Sequence, residues 1–181
     1  KLKFLLLQAR KENDLMITNE LNCFSRILKT NKDQFTIKDL TRDKIKESYI
    51  KKFDVVLVGG SGDYSIAHGG YFIEQTLDIM QYLVSLSKET FASCWGFQAM
   101  ANAMGGEVIN DLELAELGTI ELKLTKYGKE DPIFGKIPNS FFCQMGHEDI
   151  VIKPPKDSII LASSKKIEIE AFRFEKKPIY C

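Results

Sequence analysis

With 181 residues, and 25 lysines and arginines balanced by 25 aspartates and glutamates, the chain is long enough for one well-buried domain and short for two. Zero net charge gives no electrostatic reason to expect nucleic acid or an anionic membrane as a partner, and no stretch approaches the 18 apolar residues of a membrane span. Four cysteines, at 23, 94, 143 and 181, form no C-x-x-C pair, and two histidines form no cluster, so no metal site and no cofactor are expected. Their scatter fits a reducing, cytoplasmic setting.

The N-terminal segment Leu2–Gln8 is a nearly continuous apolar run, as in a parallel strand covered on both faces. Leu15, Ile17, Leu21, Phe24, Ile27 and Leu28 then recur at helical spacing, with Asn13 and Asp14 as caps. Phe35 and Ile37 mark a short strand, Ile45–Lys52 a polar helical segment, and Asp54–Val58 a third strand that Gly59-Gly60-Ser61-Gly62 breaks. A looser stretch, Asp63–Gly70, leads to a predicted helix over Tyr71–Leu86, a strand around Phe91 and another helix. This alternation predicts an α/β, doubly wound, mostly parallel sheet with helices on both faces, whose crevice lies at the carboxyl ends of the strands. Beyond Gly106 the texture changes to strands and turns: Glu107–Ile109, Thr119–Thr125, Phe141–Met145, Ser158–Ala162 and Lys166–Phe174, punctuated by Gly128–Asp131 and Pro154-Pro155.

The run Thr90-Phe91-Ala92-Ser93-Cys94-Trp95-Gly96-Phe97-Gln98 carries the chemistry. A strand that ends at a sheet edge and reverses into a helix holds the corner side chain out in the crevice, beside the first free N–H groups of that helix. Those groups and the helix dipole favour thiolate over thiol, and later an acyl oxyanion. A free cysteine is also a common packing residue. Here Ala92 and Ser93 keep the approach narrow, Gly96 permits close backbone, and Gln98 lies one helical turn on.

Gly59-Gly60-Ser61-Gly62 lacks the spacing and the lysine of a P-loop, so it reads as a tight strand-to-helix turn or as a source of oxyanion donors. A thiol that attacks an amide needs a base. His68 sits in a flexible loop and reads as a surface residue; His147 follows an apolar strand and has acidic neighbours, as a structural group or as a base.

Val58-Gly59-Gly60-Ser61-Gly62, Ala92-Ser93-Cys94-Trp95-Gly96-Phe97-Gln98 and Gly146-His147-Glu148-Asp149-Ile150-Val151 resemble, in order and spacing, the class I glutamine amidotransferases, and among them the amidotransferase domain of GMP synthase. Glu116-Leu117-Gly118, Asp131-Pro132-Ile133-Phe134 and Phe172–Tyr180 look like that family too, so the likeness spans the chain as one domain, residues 1–181. The resemblance implies a flavodoxin-like sheet with a small additional β region. It implies that Cys94 attacks the side-chain amide of glutamine, that the N–H groups of Gly60 and Trp95 form the oxyanion hole, and that Gln98 and the backbone around Glu148 and Asp149 hold the substrate. His147 becomes a wall of the site, and ammonia passes to a synthetase subunit or domain.

Ser61, Phe97 and Gly146-His147-Glu148-Asp149 stand where the family usually has proline, histidine and Ser-His-Gly-Asp. The family takes its base from a Gln-Phe-His-Pro-Glu segment directly after a strand like Lys177–Cys181, so the chain is expected to lack its C-terminal end. Two alternatives stay open: a stand-alone γ-glutamyl hydrolase, and a non-catalytic regulatory paralogue on the same fold.

Overall fold

A computed structural model describes residues 1–181. In chain order the elements are β1 (Phe4–Gln8), α1 (Met16–Ile27), β2 (Phe35–Asp39), α2 (Glu47–Ile50), β3 (Val55–Val58), α3 (Ile73–Ser85), β4 (Thr90–Ala92) and α4 (Trp95–Ala103). They continue with β5 (Glu107–Asn110), β6 (Glu116–Leu124), α5 (Lys126–Glu130), β7 (Ser140–His147), β8 (Asp149–Lys153), β9 (Ser158–Ser163), β10 (Ala171–Phe174) and β11 (Ile179–Tyr180).

Alternating side chains of β1 explain the layers. Phe4 and Leu6 point with Leu57 to one face, where Leu21 and Phe24 of α1 cover them. Leu5 and Leu7 join Val56 and Val58 on the other, in a core shared with Ile79, Met80 and Leu83 of α3 and Trp95, Ala99 and Met100 of α4. Neither face of β1 is wet, which is why the strand reads as an unbroken apolar run. None of the helices is long and apolar enough to cross a membrane.

Nine strands form one sheet in the order β2-β1-β3-β4-β11-β10-β9-β6-β7. It is parallel from β2 to β11 and antiparallel from β11 to β7. The expected doubly wound, mostly parallel α/β sheet is present, with β5 and β8 as the small additional β region. β2 and β3 flank β1 on opposite sides, so the strand order reverses there, and such a switch point opens a crevice at the carboxyl ends. Val58 lies opposite Ala92, which brings Gly59, Gly60 and Cys94 to that one edge.

Several boundaries differ from the sequence reading. The Gly128–Asp131 punctuation falls in helix α5, because the Thr125 hydroxyl caps it by accepting the Gly128 N–H at 3.0 Å. Gly128 is required by close approach rather than by a turn: a Cβ there would collide with the Leu161 carbonyl. The strand expected over Lys166–Phe174 begins only at Ala171, because the Ser164 hydroxyl takes the N–H groups of Lys166 (3.2 Å) and Ile167 (2.9 Å) and turns the chain. The helix expected over Ile45–Lys52 shrinks to the single turn α2. β8, which the strand pattern of the sequence does not announce, pairs with β5 behind the site.

Candidate active site

Cys94 occupies the corner between β4 and α4 with φ 53° and ψ −111°, a conformation that L-residues rarely adopt. What holds it is backbone docking. Ser93 N–H donates to Val58 O (2.9 Å), Gly96 N–H to Gly59 O (3.1 Å), and Gln98 N–H to Cys94 O (3.1 Å). Gly96 is obligatory, since a Cβ on it would lie 2.7 Å from Val58 O. The strained turn therefore lifts the thiol into the crevice as the sequence suggests.

The sulfur is open to solvent at the floor of that crevice while protein surrounds it on most sides. Burial pushes the thiol above its ordinary value, and the N–H groups of Trp95 and Ser61 and the nearby Arg10 guanidinium oppose that shift without overcoming it. The thiolate preference expected from the helix end is thus present as a force and outweighed by desolvation. Alkylation of Cys94 by iodoacetamide is expected to keep accelerating with pH beyond the ordinary cysteine range, and a plateau at neutral pH would contradict this environment.

Gly60 lies against Cys94: a Cβ on it would sit 3.5 Å from Cys94 Cβ. Its N–H, expected as an oxyanion donor, instead donates to Glu20 Oε1 at 2.8 Å. The N–H groups that face the sulfur are those of Trp95 and Ser61. Glu20 Oε2 accepts Gln8 Nε2 at 2.7 Å, and Arg10 Nη2 lies 3.6 Å from Oε1. Gln8, Arg10 and Glu20 thus form a polar floor beneath Gly59 and Gly60 that the sequence reading missed. Its signal was two polar residues at the crevice edge, Gln8 ending an otherwise apolar strand and Arg10 just beyond it.

A crevice of about 500 Å³ gathers Cys94, Gln98, His147, Glu148 and Asp149, together with His68 from its exposed loop. Gln98 is buried and its Nε2 donates to Asp149 O at 2.9 Å, which locks α4 to β8 and leaves Oε1 for a ligand. The Asp149 carboxylate is fully used: it accepts Ser65 Oγ (2.8 Å), Ile66 N–H (2.7 Å), Ala67 N–H (3.2 Å) and Asn110 Nδ2 (3.0 Å). Glu148 O accepts the Asp111 N–H. The carbonyls of Glu148 and Asp149, expected to hold substrate, each accept one hydrogen bond from within the fold.

His147 Nδ1 lies 3.2 Å from Asp149 O, and its Nε2 lies 3.9 Å from Glu116 Oε2. Both ring nitrogens thus lie near internal oxygens. Glu170 stands beside this pair, where burial, then the hydrogen bond and charge of Glu116, push its carboxyl up to about 8. On the other side of Cys94 an apolar cavity of about 410 Å³ is lined by side chains such as Phe97, Met145 and Ile169 and by Cys181.

Comparison with known proteins gives this arrangement a lineage. The profile of the family "Glutamine amidotransferase class-I" matches residues 13–181. A glutamine-hydrolyzing GMP synthase subunit of Methanothermobacter thermautotrophicus is 32% identical over 115 residues, 64% of this chain and 60% of the relative. The corresponding GMP synthase subunit of Sulfolobus acidocaldarius is 32% identical over 136 residues, 73% of this chain and 65% of the relative. The match thus spans less than two thirds of either relative. Among solved structures, a glutamine amidotransferase of Thermotoga maritima superposes with TM-score 0.77 at 16% identity, over 99% of this chain and 74% of that one. One from Methylobacillus flagellatus gives 0.74 at 16%, over 96% and 66%. A thiol at a strained strand-to-helix corner, the sheet order around it and a profile match over nearly the whole length agree: this chain belongs to the class I glutamine amidotransferase family.

Proposed function

We propose that the chain hydrolyses the side-chain amide of glutamine through a thioester on Cys94. The observation that carries this reading is the strained Cys94 corner, with the Trp95 and Ser61 N–H groups facing its sulfur. Cys94, as thiolate, attacks the amide carbon, and those two N–H groups stabilise the tetrahedral oxyanion. The C–N bond breaks, ammonia leaves with the added proton, and a glutamyl thioester remains. Water then cleaves the C–S bond, which gives glutamate and restores the thiol. In this reading Gln98 Oε1 accepts a hydrogen bond from the α-ammonium of the substrate, supported by the engagement of Nε2 alone within the fold.

β11 runs parallel to β4 with Tyr180 opposite Phe91, and Cys181 follows it into the apolar cavity that Cys94 also lines. The relatives named as GMP synthase subunits suggest a synthetase partner that takes the ammonia. A second reading, a γ-glutamyl hydrolase, is favoured by the apolar cavity that shares Cys94 with the polar crevice, since it suits an apolar leaving amine. Product release from free glutamine and from γ-glutamyl dipeptides separates the two. Faster turnover of glutamine supports the amidotransferase; no ammonia from glutamine refutes it.

A further inference from the structure

Glu116 and His147 are direct partners across the β6–β7 hairpin. Glu170, 23 residues further along the chain than His147, comes from the segment just before β10 to meet them. One ligand atom of each lies within 4.8 Å of the other two. The Glu116 side chain is only 3% exposed, and its Oε2, aimed at His147, accepts from no amide, hydroxyl or cationic donor; the buried Glu170 Oε1 accepts from none either. Two buried carboxylate oxygens with no donor between them are costly unless a proton or a cation bridges them.

The surroundings hold these groups in ligand geometry. The Ser164 hydroxyl donates to Glu116 Oε1 at 2.7 Å and so fixes the carboxylate with Oε2 free. A carbonyl only accepts, so the contact of His147 Nδ1 with Asp149 O makes Nδ1 the protonated nitrogen. In the neutral imidazole that leaves the Nε2 lone pair facing Glu116. A backbone carbonyl on the far nitrogen is the usual way a metal-binding imidazole is oriented.

We propose that Glu116, His147 and Glu170 form a binding site for a divalent first-row transition cation, of the zinc or manganese type. One imidazole and two carboxylates suit such an ion, and three protein ligands leave coordination positions for water. Glu116 and His147 line the crevice with Cys94, while Glu170 and His147 line the apolar cavity, so the ion sits in the wall between the two. It ties the β6–β7 hairpin to the strand pair β9–β10. The ligands are scattered over 55 positions of the chain, so no sequence spacing announces them.

Titration of chelator-treated protein with Co²⁺, followed by calorimetry and visible absorption, tests this. The expected result is one equivalent bound with d–d bands and no thiolate-to-cobalt charge-transfer band. Glu116→Gln and Glu170→Gln each weaken binding by about tenfold or more, while Cys94→Ser leaves it unchanged. Glu170 is only partly buried, so Glu170→Gln is the safer variant for folding, checked by thermal unfolding of the metal-free proteins. No binding by the wild-type chain at micromolar Co²⁺, equal affinity in Glu170→Gln, or a charge-transfer band from thiolate would each overturn the proposal.

Discussion

Cys94→Ala is expected to lower ammonia release from glutamine by about 10⁴-fold or more, because no other group in the crevice can form the thioester. Its thermal midpoint should stay close to that of the wild type, since the side chain projects into the crevice and leaves no cavity behind. Cys94→Gly separates chemistry from strain. At φ 53° and ψ −111° the corner costs an L-residue roughly 1–3 kcal/mol, a penalty that glycine does not share. The glycine variant is therefore expected to be equally inactive and more stable than the wild type, read as a higher midpoint in thermal unfolding. Unchanged ammonia release in Cys94→Ala would make the cysteine a packing residue. A less stable Cys94→Gly would mean that the corner stores no strain.

Asp149→Ala is the second large effect, and it acts on stability. The carboxylate ties the Ser65–Ala67 loop and Asn110 to the start of β8 while itself only 6% exposed. Truncation leaves the Ile66 and Ala67 N–H groups without an acceptor in a buried setting. At about 1–3 kcal/mol for each buried polar group left unpaired, the expected loss is about 4 kcal/mol. For a chain of this size that is a fall of roughly 10 °C in thermal midpoint. Asp149→Asn should recover part of this, because one oxygen still accepts while the amide NH₂ faces donors. If Asp149→Ala unfolds within about 2 °C of the wild type, the loop is held by other contacts.

The sheet and the Cys94 corner were legible because both depend on local pattern. β1 and β3 are buried on both faces and announce themselves as apolar runs. The cysteine corner combines a strand end, a small residue and a glycine that must dock on Val58. What escaped depends on contacts between distant segments. Glu20 reads as one polar residue of an amphipathic helix until the fold places it under Gly59 and Gly60. β8 is short and adjoins the Gly146–Asp149 motif, and it is a strand because β5 lies beside it. The site residues divide in the same way. Cys94 and Gln98 follow from spacing along one helix, whereas the roles of Glu148 and Asp149 depend on which carbonyls the folded chain has already engaged.

The link between Cys94 and glutamine is tested most directly by a glutamine analogue that carries an electrophilic chloroketone in place of the side-chain amide, followed by peptide mapping. The reading predicts a single adduct on Cys94, suppressed by excess glutamine, with the exposed Cys23 unmodified as the internal control. An adduct distributed between Cys23 and Cys94 and indifferent to glutamine, or no adduct at Cys94, would contradict it.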